Sequence, residues 1–114
     1  MRIELEELAS RLDDAELAIL DVRSEDEYAG KGGYPCDPRQ GHIPGARHLD
    51  YREILGSSGE ELRALVGLPE GAEIVCYCHS GQRSGLAVTA LRAAGYRARN
   101  YEGSWHEWSR RENS

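Results

Sequence analysis

Long apolar runs are missing from this sequence. Nothing in its 114 residues approaches the roughly 18 apolar residues that a membrane-spanning helix needs. Met1-Arg2-Ile3-Glu4 does not open as a secretory leader does, and a cytoplasmic setting without a membrane partner is expected. Basic charge is in deficit as well: 14 Lys and Arg face 20 Asp and Glu, for a formal net charge of −6. That balance excludes a general nucleic-acid surface and confines any anion site to a local one. Cysteine is scarce, and three is an odd count for a disulfide scaffold. Cys76 and Cys78 enclose one residue, where a metal knuckle usually encloses two, so no metal site is expected and a reducing compartment fits. Internal repeats, low-complexity tracts and linkers are also lacking. Residues 1–114 are expected to form one domain, long enough for one sheet with helices on both faces and too short for two cores.

What is present alternates. Leu5, Leu8 and Leu12 follow a short start at Ile3 at helical spacing and predict a first helix through Arg11. Leu17 to Val22 is an apolar run interrupted by Asp21, as expected of a buried parallel strand whose C-terminal end opens on a site. Ser24 offers an N-cap for a brief helix through Tyr28, with Glu27 in capping-box position. The Gly- and Pro-containing stretch 30–45 reads as a loop. Further on, strands are expected at 46–49, 73–77 and 98–101, and helices at 60–66 and 83–94, the latter stopped by Gly95. Ser104 is expected to cap a last helix carrying Trp105 and Trp108. The alternation implies a three-layer α/β fold with a central, mainly parallel sheet of about five strands.

The most informative segment is Cys78-His79-Ser80-Gly81-Gln82-Arg83-Ser84, set between the run Ile74-Val75-Cys76-Tyr77 and the helix-forming run that starts at Leu86. Strand, tight loop and helix follow in that order. The first N–H groups of a helix have no intrahelical partners and favour negative charge in front of them. A thiol placed there tends toward the thiolate, the form that attacks. Cys78 is therefore the candidate nucleophile. The N–H groups of residues 79–84 are expected to form an anion cradle, with Gly81 permitting the curl. Arg83 is expected either to bind an anionic donor or to brace the loop against an acidic partner such as Asp21.

The loop pattern Cys78-x-x-Gly81-x-Arg83-Ser84 resembles the active-site loop of the rhodanese (sulfurtransferase) family. Three further segments resemble that family in order: Asp21-Val22-Arg23 with Glu27-Tyr28, Gly41-His42-Ile43-Pro44-Gly45-Ala46, and Tyr101 to Trp108. The last of these and the insert from Gly30 to Gln40 are most like the catalytic C-terminal half of tandem thiosulfate/mercaptopyruvate sulfurtransferases. Gln82-Arg83 is more like the single-domain bacterial members, and Glu27 stands where many tandem enzymes carry an arginine. The resemblance implies a rhodanese-like fold and transfer of sulfane sulfur from a small anionic donor to a thiophilic acceptor through a Cys78 persulfide. It implies no cofactor, and it leaves room for a second rhodanese-like domain or an acceptor protein as partner. A non-catalytic sulfur-carrier module is the alternative. A phosphatase or arsenate reductase is disfavoured, because the related enzymes place five residues between cysteine and arginine, whereas His79 to Gln82 are four.

Other residues read more plainly. His79, Ser80, Gln82 and Ser84 are placed as substrate-contacting loop positions. Asp21 and Arg23 are expected to fix neighbouring loops by hydrogen bonds, and Trp105 to wall the pocket beside a core Trp108. Cys76 reads as a buried packing residue on the same strand face as Cys78, and Cys36 as a surface thiol. His42 reads as a turn element bonded to backbone, without partners at ligand spacing.

Overall fold

The computed structural model describes residues 1–111. Four parallel strands, β1 (Leu17–Asp21), β2 (Arg47–His48), β3 (Glu73–Tyr77) and β4 (Arg97–Asn100), lie in the order β2-β1-β3-β4. Six helices connect or flank them: α1 (Leu5–Ser10), α2 (Glu25–Tyr28), α3 (Tyr51–Leu55), α4 (Gly59–Val66), α5 (Gln82–Ala93) and α6 (Ser104–Trp108). The expected three-layer α/β arrangement is the one observed. The sheet is one strand narrower than about five. Its outer position is a single parallel bridge, Arg2 to Asn100, because the backbone turns into α1 directly after Glu4.

Alternation along the strands divides the core in two. Leu20, Ile74, Cys76 and, just past the strand end, Cys78 face α3, α4 and α5, packing against Ile54, Leu62, Val66, Ala87 and Leu91. Ile19, Val75 and Tyr77 face the other way, against Ile3, Leu8, Ile43, Trp105 and Trp108. Both central strands are thus buried on two faces, which is why they read as continuous apolar runs.

The Ser24 capping box forms as expected: Ser24 Oγ accepts from the Glu27 N–H at 3.2 Å and Glu27 Oε1 accepts from the Ser24 N–H at 3.1 Å. Helix α3 was not expected. Asp50 caps it, accepting from the Arg52 N–H at 2.9 Å, and this ends β2 at His48 instead of Leu49. Gly95, at φ 102°, terminates α5 as expected. Gly103 takes the N-cap of α6, and Ser104 has another use.

The 30–45 stretch is irregular but firmly tied down. Arg39 donates to the carbonyls of Trp108 at 2.7 Å and Ser109 at 3.0 Å, at the C-terminal end of α6. Trp105 Nε1 donates to Arg39 O at 2.9 Å. The insert therefore lies against α6. Among the described residues no helix is long and apolar enough to cross a membrane.

Candidate active site

Cys78 follows β3 directly, and α5 begins at Gln82. Its sulfur is met by the Gly81 N–H at 3.1 Å, the Ser84 N–H at 3.5 Å and the Ser84 hydroxyl at 3.4 Å. Burial pushes the thiol up, but hydrogen bonds from Ser84 and from the N–H groups of Gly81 and Ser80 outweigh it, and the thiol ends below the ordinary cysteine value. The hydroxyl has one proton and two acceptors. Asn100 Oδ1, at 2.7 Å, is nearer than the sulfur, and its amide is held that way round because Nδ2 donates to Gly81 O at 3.1 Å. The hydroxyl is thus shared between Asn100 Oδ1 and the sulfur, and the backbone N–H groups at the start of a 12-residue helix add to the lowering of Cys78.

Gly81 is required twice over. Its φ of 96° lies in the left-handed region, and a Cβ there would stand 2.8 Å from the Glu102 carbonyl oxygen. On the other flank, the Cys78 N–H donates to Ser104 Oγ at 3.0 Å, while the Trp105 N–H donates to Cys78 O at 2.9 Å and the His106 N–H to His79 O at 3.0 Å. Ser104 makes its bond from φ 54°, a conformation that costs a non-glycine residue about 1–3 kcal/mol. Its hydroxyl donates in turn to Tyr101 O at 2.8 Å. Strain is stored directly beneath the candidate nucleophile.

Arg83 braces the loop, but not against Asp21. Its Nη1 and Nη2 donate to the two carboxylate oxygens of Glu27 at 2.9 and 3.1 Å. Burial pushes the Glu27 carboxyl up, yet Arg83 and the Ser24 capping contacts pull it down to about 2. Asp21 is already filled: it accepts from Arg23 Nε at 3.0 Å, Arg23 Nη2 at 2.7 Å and the Tyr77 hydroxyl at 2.7 Å, and both members of the pair are buried. Arg23 also donates to Gly41 O, tying the strand end to the insert.

Ser80 and Gln82 are exposed, and Ser80 lines a groove of about 560 Å³ with Leu5, Glu102, Gly103 and His106. His79 is stacked on Tyr34 at 3.7 Å, and its Nε2 lies 3.1 Å from Asp37 Oδ2. Trp105 does not wall this site. Its ring, 3% exposed, lies over the Arg23 guanidinium and borders a cavity of about 370 Å³ none of whose lining residues belongs to the 78–84 loop. Cys76 is fully buried, and burial pushes its thiol far up. Cys36 is exposed, and His42 Nδ1 donates to Tyr28 O at 2.8 Å.

Four contributors escape a sequence reading: Asn100, Ser104, Asp37, and Glu27 as the partner of Arg83. Glu27 and Ser104 carried local signals, a capping-box position and a helix-cap context, and both pointed only to helix ends. Asn100, Ser104 and Asp37 lie from 16 to 42 residues from the loop residues they touch.

Residues 4–111 match the model of the rhodanese-like domain, and the chain belongs to that family. It is 38% identical over 107 residues to the sulfur carrier protein TtuD of Thermus thermophilus, covering 80% of this chain and 38% of that protein. It is 37% identical over 114 residues to the thiosulfate sulfurtransferase of Azotobacter vinelandii, covering 89% of this chain and 40% of the relative. The chain thus spans about two fifths of these relatives' length. Among solved structures, a probable thiosulfate sulfurtransferase superposes with a TM-score of 0.81 at 45% identity, covering 94% of this chain and 44% of the other. The human single-domain sulfurtransferase TSTD1 superposes with a TM-score of 0.74 at 32% identity, covering 98% and 97%.

Proposed function

We propose that residues 1–114 form a single rhodanese-like domain that transfers sulfane sulfur through a persulfide on Cys78. The observation that carries this reading is the Cys78 sulfur held against the N–H groups of Gly81 and Ser84, with its thiol below the ordinary value. The Cys78 thiolate attacks the outer sulfur of an anionic donor, thiosulfate by preference. The donor's S–S bond breaks, sulfite leaves with the electron pair, and Cys78 keeps the transferred sulfur as a persulfide anion. A thiophilic acceptor such as cyanide or a thiol then attacks the terminal sulfur, and the Cys78 thiolate returns. Neither step requires a side-chain acid or base. What both require is stabilised negative charge on sulfur, which the N–H cradle supplies in water-poor surroundings. A reducing cytoplasm is the setting that keeps such a thiol available.

The test is the intact mass of the protein before thiosulfate, after it, and after cyanide, with Cys78→Ser alongside. One added sulfur that cyanide removes as thiocyanate, absent from the variant, is the expected result. An adduct that persists in Cys78→Ser refutes the assignment.

A second reading is a sulfur carrier loaded by a partner protein. One geometric fact favours it: Glu27 already occupies both faces of the Arg83 fork, so the cradle offers a free anion backbone N–H groups and no unpaired guanidinium. The resemblance to a sulfur carrier points the same way. A chain that ignores thiosulfate and mercaptopyruvate but accepts sulfur from a persulfidated protein would be a carrier, and a second rhodanese-like domain or an acceptor protein would be its partner.

A further inference from the structure

The insert and the loop meet in a cluster that sulfur transfer does not use. Cys36 Sγ, an Asp37 carboxylate oxygen and a His79 ring nitrogen lie within 4.8 Å of one another. The Asp37 side chain is fully buried, and its Oδ2 has no hydrogen-bond partner among the described residues. A buried carboxylate oxygen left unpaired bears its desolvation without compensation. His79 Nε2 is only 3.1 Å from it, but off the hydrogen-bonding line, and makes its long bond of 3.4 Å to Oδ1 instead. A carboxylate oxygen without a donor, an imidazole nitrogen and an exposed thiol within 4.8 Å of one another make a donor set for a cation.

We propose that Cys36, Asp37 and His79 bind a divalent cation of the zinc type. The donor set is chemically selective: thiolate with imidazole and one carboxylate suits Zn²⁺ and disfavours Mg²⁺ or Ca²⁺, which take oxygen. Bonds of about 2.0–2.2 Å at a tetrahedral angle put nitrogen and oxygen ligands roughly 3.3 Å apart, close to the observed separation of Asp37 Oδ2 and His79 Nε2. The supporting contacts are in place. Arg110 Nη1 donates to Asp37 Oδ1 at 2.9 Å, which leaves Oδ2 for the ion, and the Tyr34 ring stacked at 3.7 Å fixes the imidazole plane. His106 is not part of this group, in which the three donor atoms all lie within 4.8 Å of one another. The site thus has three protein ligands and an open position, the form in which zinc binds an exchangeable group. Binding breaks only the Cys36 S–H bond: the proton goes to solvent and the electron pair stays on sulfur as the ligand pair. The ion would pin the insert to the residue next to Cys78.

Co²⁺ titrated into the purified protein is the probe, because thiolate coordination gives a near-ultraviolet charge-transfer band and tetrahedral geometry an intense visible one. The expected result is one Co²⁺ per chain, both bands retained in Cys78→Ser, the charge-transfer band lost in Cys36→Ser, and affinity lowered at least tenfold in His79→Ala. Zn²⁺ should erase the bands. Cys36 is exposed, so its replacement leaves the packed core untouched. Absence of bands in the wild-type protein, or bands that vanish with Cys78→Ser and survive Cys36→Ser, overturns the proposal.

Discussion

Replacing Glu27 with Gln separates bracing from binding at Arg83. A carboxyl held at about 2 in place of 4.5 contributes at most about 3.4 kcal/mol to stability. The Glu27 side chain is 8% exposed, but that of Arg83 is 25% exposed, and solvent screening reduces the figure to about 2 kcal/mol. Gln keeps an oxygen for the Ser24 N–H and turns an amide NH₂ toward the guanidinium, so a donor faces a donor. Because the folded value is depressed, the contribution is fully present above about 4.5 and is lost as pH falls through about 2. Urea unfolding should show a gap of about 2 kcal/mol between wild type and variant at pH 7, shrinking to roughly a quarter of that at pH 2.5. A gap that does not change with pH would refute the ion-pair account. The same variant frees the Arg83 fork, so KM for thiosulfate should fall several-fold at pH 7. An unchanged KM would leave Arg83 as scaffolding alone.

Alkylation of Cys78 by iodoacetamide, followed against pH in a Cys36→Ser background, should show its midpoint below the ordinary cysteine value of about 8.5; a midpoint above that value would mean that burial wins over the N–H cradle. Gly81→Ala should cost about 1–3 kcal/mol in thermal or urea unfolding and slow the alkylation, since the left-handed φ and the Glu102 carbonyl both oppose the new methyl group. Wild-type stability in that variant would show that the loop relaxes freely.

The loop was legible because its parts are local. A buried strand, a glycine where the chain must curl and a helix-forming run lie within 20 residues, and their order alone puts Cys78 before a helix N-terminus. Helix α3 carried a signal too, Asp50 followed three residues later by Glu53, but five helical residues are too few to show an apolar period beside it. The bracing was not legible. Arg83 and Glu27 are 56 residues apart, His79 and Asp37 are 42 apart, and charge pattern along the chain does not say which carboxylate a guanidinium will find. Asp21 was the plausible partner for Arg83 until Arg23, two residues away and equally buried, proved to fill it. Ser104 shows the same limit in backbone form: its sequence context suggests a helix cap, and tertiary structure spends its hydroxyl on Cys78.

Cys76 and Cys78 share a strand face and a core cluster, yet one thiol is driven up by burial and the other ends below its ordinary value. Oxidants follow thiolate character, so peroxide or a disulfide reagent should climb the sulfenic-to-sulfonic series at Cys78 and pass over its neighbour. The molecule thus carries an internal reference sulfur of matched surroundings. The difference between an inert thiol and a vulnerable one comes down to two residues of chain, from inside the sheet to the amide groups just beyond it.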